Sequence, residues 1–228
     1  MKCKVAWIVA FGCAASLVYG HGDVAPQAVD TTGLPEVGEE WLTENPYRAE
    51  AAGEDVWKAA VEIGASGYNQ NCARCHGLEV VSGGLAPDLR FLEAEEYGDE
   101  WYVERFVEGY TQNGITKMPA FGDLLGQEAA WAIRTYIETR PDDEAMESVT
   151  PDLKALRDEM AGYVDDASAA DADALIERLS GIAGDIETLS GAPIADSPAY
   201  RAAALIDGTP GGYRKAAEAL TIGLSAAN

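Results

Sequence analysis

Cys72-Ala73-Arg74-Cys75-His76, read with the later Lys117-Met118-Pro119, decides how this chain is organised. Two thiols at i and i+3 followed at once by a histidine have the attachment spacing of a c-type haem. The sulfurs bond the porphyrin edge and the imidazole of His76 reaches the iron. A thioether at Met118, in a loop flanked by Gly114 and Pro119, is placed to close the opposite face. An iron filled on both faces has no open position for a substrate, so the expected chemistry is the passage of single electrons.

Other uses of the two cysteines fail on the residues present. Lys2 and Lys4 precede an apolar run from Val5 to Val18 that ends near Gly20, the layout of a secretory signal over residues 1–20, cleaved before His21. The run is too short for a spanning helix. A lipoprotein signal would use Cys13 after Gly12, but Ala10 and Phe11 suit it poorly and the apolar run continues past it. Cys3 and Cys13 leave with the signal, so Cys72 and Cys75 alone remain and none is spare for a structural disulfide. Zinc wants four nitrogen or sulfur ligands, and the only histidine besides His76 is the distant His21. A thioredoxin-like motif wants a βαβ setting and no adjoining histidine. His21, with a free amine, lacks a second histidine for copper and reads as a polar terminus. Export places the protein in the periplasm.

Four regions follow along the chain. Residues 1–20 are the signal, and 21–53 form an irregular arm limited by Pro26, Pro35 and Pro46 and pinned by Trp41 and Tyr47. Residues 54–141 form the haem domain. Its first helix runs from Asp55 to about Asn71 with Trp57, Val61, Gly64 and Tyr68 on one face, the glycine admitting a close partner. That partner is Gln127 to Arg140, carrying Trp131, Ile133, Tyr136 and Ile137 and stopped by Arg140-Pro141. Glu100 to Gly109 is a short helix offering Trp101, Val103, Phe106 and Val107 to the porphyrin, and Tyr110 to Phe121 is a loop. Residues 142–228 are an acidic helical extension. Its helical stretches are Pro151 to Val164, Ala170 to Leu189, Ser197 to Ile206 and Tyr213 to Leu224. Their apolar stripes read as internal core rather than docking faces, in a hairpin or small bundle laid against the haem domain. The fold class is mostly α.

Around the motif, a ligating imidazole donates its second N–H to a carbonyl or carboxylate, and Pro87 is the candidate acceptor. Arg90 has two readings, a forked bond to a haem propionate or a solvated surface arginine. Met146 and Met160 lie beyond the closing helix and read as core filler, which leaves Met118 as the axial candidate.

Gly64 to Cys72, the Cys72–His76 motif, Ala86-Pro87-Asp88-Leu89 and Lys117 to Phe121 together resemble a class I cytochrome c. More narrowly, Pro26 to Pro141, with Asn45-Pro46-Tyr47-Arg48 and Cys72 to Glu79 as its most particular stretches, is similar to the periplasmic cytochromes c550 that accept electrons from PQQ-dependent alcohol dehydrogenases, the methanol dehydrogenases among them. The resemblance implies one covalent haem c on Cys72 and Cys75, proximal ligation by His76, a bond from that ring to Pro87, and distal ligation by Met118. Some relatives carry calcium near the haem, but the acids here are too many to place a site. The extension is the part the resemblance covers least.

The formal charge is −23, from 39 acids against 16 lysines and arginines, and becomes more negative without Lys2 and Lys4. Such a surface argues against nucleic acid and anionic membranes and favours fast, salt-sensitive encounters with basic partners. The expectation is therefore a non-enzymatic carrier between a PQQ-dependent alcohol dehydrogenase as donor and another cytochrome c or a terminal oxidase as acceptor. The rivals are a respiratory cytochrome c with a different donor and a peroxidase-like haem enzyme. The enzyme would need an open iron face and usually a distal base, and no histidine is spare near the motif.

Overall fold

Gly64 sets the distance between the two helices that frame the domain. In the computed structural model, which describes residues 26–226, a Cβ added at Gly64 would lie 1.9 Å from the carbonyl oxygen of Ala132. The expected signal and His21 lie outside the described residues. An irregular arm leads to a single turn, α1 (Ala49–Ala52), which the sequence reading did not foresee, and then to α2 (Glu54–Asn71). Glu54 and Asp55 in the first turn of α2 complement its dipole. Trp57, Val61, Gly64 and Tyr68 are all buried on it. A single turn, α3 (Ala73–His76), follows, then an irregular loop, then α4 (Glu96–Glu108).

Where a loop is expected from Tyr110 to Phe121, the chain forms a hairpin of β1 (Tyr110–Gln112) and β2 (Ile115–Met118). Asn113 (φ 53°) and Gly114 (φ 75°) supply the two left-handed residues that a tight hairpin turn requires. The partner helix α5 (Gly122–Glu138) breaks at Gly126 (φ 80°), so its regular part begins at Gln127 as expected. Trp131, Ile133, Tyr136 and Ile137 are buried on it.

The arm is held as the sequence suggests. Tyr47 packs with Ala60 and Trp131 and donates its hydroxyl to the Pro35 carbonyl at 2.7 Å. Trp41 stands against Phe106. Beneath the arm lies an ionic network that the sequence did not announce. Asp99 and Arg134 are fully buried and paired at 2.8 Å, and Arg48 bridges Asp99 and Glu138 at 2.8 and 2.9 Å. Asn45 adds bonds to Asp99, Thr135 and Glu138. Burial pushes the Glu138 carboxyl above its ordinary range, although Arg134 and Arg48 pull the other way.

The extension has its own core. Helix α6 (Asp143–Gly162) starts earlier than expected and passes through Pro151, whose missing N–H falls opposite the carbonyl of Glu147, an exposed residue that water can serve. It packs with α7 (Ala172–Gly184), α8 (Pro198–Leu205) and α9 (Pro210–Ala226) around Leu153, Leu156, Met160, Leu179, Tyr213 and Leu220. The junction with the haem domain is mainly polar. Arg90 meets Asp143, Arg140 meets Asp196 and Glu79, and the N–H of Ala94 donates to the carbonyl of Ser190. The chain is mostly α, and among the described residues no helix is long and apolar enough to cross a membrane.

Candidate haem site

Cys72 ends α2, its N–H bonded to the Tyr68 carbonyl at 2.8 Å. The N–H groups of Cys75 and His76 both turn back to the Cys72 carbonyl at 3.0 Å, closing the single turn of α3. Residues three and four apart on a helical turn share a side, which sets Cys75 and His76 one turn from Cys72, with His76 buried, Cys72 half-buried and Cys75 exposed. Gly77 (φ 87°) lets the chain leave, since a Cβ there would fall 1.8 Å from the Val81 carbonyl oxygen. The Tyr68 hydroxyl donates to the Gly77 carbonyl at 2.8 Å, and its ring packs at a tilt of 49° against Tyr136. Helical spacing places Tyr68 on an apolar face but does not announce this support.

The ring of His76 is buried, with Nδ1 2.9 Å from the carbonyl oxygen of Pro87. A carbonyl only accepts, so Nδ1 carries the proton and Nε2 presents its lone pair, the tautomer a metal ligand needs. Burial lowers the pKa of His76, with the Pro87 bond opposing, and so favours the neutral ring. Burial, with a smaller contribution from Cys75, pushes the Cys72 thiol up to about 12. Thiol–disulfide chemistry wants the opposite shift.

Met118, the last residue of β2, is half-buried against the apolar cluster that also receives Cys72 and contains Tyr68, Leu89, Tyr102, Phe106 and Phe121. Trp101 and Val103 of α4 pack on the same cluster, whereas Val107 faces Gly122. Met146 and Met160 are buried in the extension's core. Arg90 departs from both of its expected readings. It is almost fully buried, and its five N–H donors are spent on Asp88, Asp143 and the Pro141 carbonyl, leaving none for a propionate. Among the described residues no group of three or more His, Cys, Asp or Glu side chains is arranged to hold a metal ion.

Cys72 and Met118 at one apolar cluster, with Cys75 and a neutral His76 imidazole on the adjoining turn, fit a covalently held haem, and a helical domain built round that donor set is a c-type cytochrome. The comparisons with known proteins agree. Residues 59–137 match the family model described as cytochrome C oxidase, cbb3-type, subunit III. The chain is 56% identical over 130 residues to cytochrome c550 of Pseudomonas aeruginosa, covering 57% of this chain and 88% of that protein. It is 33% identical over 79 residues to cytochrome c6 of Euglena gracilis, 34% of this chain and 88% of the relative. A segment is 35% identical over 92 residues to the quinohemoprotein alcohol dehydrogenase ADH-IIG of Pseudomonas putida, 40% of this chain but 12% of that protein. No solved structure matches. The chain belongs to the class I cytochrome c family, and it is a monohaem electron carrier with covalently bound haem c.

Proposed function

We propose that Cys72 and Cys75 hold the haem through thioethers and that His76 and Met118 fill its two axial positions. In this reading the exported protein carries electrons in the periplasm from a PQQ-dependent alcohol dehydrogenase to another cytochrome c or a terminal oxidase. The haem supplies one-electron chemistry, and the chain's residues do the rest. Pro87 fixes the His76 ring, while the cluster of Leu89, Tyr102, Phe106 and Phe121 keeps water from the site. The observation that carries the ligand reading is the 2.9 Å contact of His76 Nδ1 with the Pro87 oxygen. Similarity to cytochrome c550, and to a stretch inside a quinohemoprotein alcohol dehydrogenase, supports the donor. The charge of −23 supports a fast encounter with a basic surface.

Two measurements test this. The oxidised protein should show a low-spin spectrum with the weak far-red sulfur-to-iron band, and Met118→Ala should abolish the band while leaving the haem covalently bound. Stopped-flow mixing with a PQQ-dependent alcohol dehydrogenase and its alcohol should reduce the cytochrome, faster at low salt than at high. No reduction by any such enzyme would remove the donor and leave the ligands standing.

A further inference from the structure

The loop that leaves His76 returns to it, because residues 77–90 run from the ligand's own turn back to the carbonyl that receives its Nδ1–H. Most of this loop is irregular, so what fixes the Pro87 carbonyl must be found in its side chains. Two anchors hold it, and both depend on the extension.

The first anchor lies beside Pro87. The Asp88 carboxylate accepts from the backbone N–H of Arg90 at 3.0 Å, from its Nε at 3.1 Å and from its Nη2 at 2.8 Å. The same guanidinium reaches Asp143, the first residue of α6, at 2.7 and 3.0 Å, and the Pro141 carbonyl at 3.1 Å. A planar fork saturated in this way has one orientation, and it transmits that orientation to the neighbouring peptide. The second anchor is Glu79, held with Val80 in left-handed backbone at φ 56° and 66°. Non-glycine residues keep that conformation only when their surroundings enforce it. Glu79 is bound by Arg140 and Arg201, and both arginines are in turn bound by Asp196 of the extension. The family match ends at residue 137, before either Asp143 or Asp196.

We infer that the C-terminal extension is a clamp on the proximal side of the haem, in which Asp143, acting through Arg90 and Asp88, positions the Pro87 carbonyl against His76. Asp143 is thus a positioning residue. The inference rests on His76 being the proximal ligand. A ring that donates firmly through Nδ1 gives more electron density to iron and favours the oxidised form. Loosening the clamp therefore raises the reduction potential.

The test uses the full-length, haem-loaded protein and its Asp143→Ala, Asp143→Glu and Arg178→Ala variants. Arg178 pairs with Glu159 inside the extension at 2.8 Å and controls for general loosening of the helices. Asp143→Ala should raise the midpoint potential and speed solvent exchange of the His76 Nδ1–H several-fold. Asp143→Glu should restore both in part, and Arg178→Ala should leave both at the wild-type value. A wild-type spectrum without histidine and methionine ligation would overturn the ligand reading and the clamp together. A normal wild-type spectrum with potential and exchange unchanged in Asp143→Ala would overturn the clamp alone, as would an equal shift in Arg178→Ala. If Asp143→Ala fails to hold haem, Asp143→Asn, which removes the charge but keeps the shape, is read by the same two measurements.

Discussion

Asp99 is the single acid on which the most buried charge converges, for it receives Arg134, Arg48 and the N–H of Asn45. Removing one partner of a buried pair leaves an uncompensated ion, and Arg134 already has one buried nitrogen, Nη1, without a partner. Asp99→Ala should lower the unfolding free energy by about 3–5 kcal/mol, read from the denaturant midpoint of the haem-loaded protein. Nothing in the sequence marked this pair. Asp99 sits among the acids of α4 and Arg134 among the apolar residues of α5, and burial became visible only when the two helices were placed. Arg90 teaches the same lesson in reverse. A fork near the haem motif suggested a propionate, while its actual acids are Asp88, two residues away, and Asp143, far along the chain. By contrast the His76–Pro87 contact and the approach of Cys72 and Met118 to one apolar cluster were legible, because attachment spacing and loop position are local properties.

At the level of elements, the hairpin carries Met118, the proposed axial ligand. Its turn depends on Asn113 and Gly114 at positive φ, and a β-branched residue at the second position costs about 1–2 kcal/mol in left-handed backbone. Gly114→Val should therefore weaken the sulfur-to-iron band at a lower temperature than in the parent, followed by absorbance on heating, without releasing the covalently held haem. Asn-Gly is a strong hairpin signal, but the surrounding Gly, Pro and Met residues read equally as a ligand loop. Helix α6 is longer than its apolar stripe, which spans Pro151 to Val164, for the helix begins at Asp143, capped by Asp142, and the proline is carried on a turn that can spare one bond. The α2–α5 pairing was foreseen because Gly64 and the aromatic spacing encode it, and the close approach at Ala132 follows.

For the whole molecule, two apolar cores meet across a seam of ion pairs. Burial pulls the carboxyls of Asp88 and Asp196 upward, but Arg90 outweighs it for the first, and Arg201 with Arg140 for the second, so both are held below the ordinary range. A carboxyl whose pKa is depressed by folding contributes stability above its unfolded value of about 4 and loses it as pH falls through the folded value. Glu138, raised by burial, has the opposite sign and favours the fold as it takes up its proton. Below about pH 4 the extension should therefore separate from the haem domain before that domain unfolds. Acid titration followed by small-angle scattering and Soret absorbance should show the molecule expanding before the haem band changes. Coincident transitions would show that the seam does not set acid stability.

The position of the seam along the chain also fixes an order in time. A polypeptide emerges from its N-terminus, so Cys72, Cys75, His76 and Met118 are all outside before Asp143, Asp196 or Arg201 exists to be paired. Until α6 and α8 arrive, Arg90 lacks Asp143, Arg140 lacks Asp196 and Glu79 lacks Arg201. The ion pairs that hold residues 77–90 are thus the last of this region's contacts that synthesis makes available, after every residue of the haem motif.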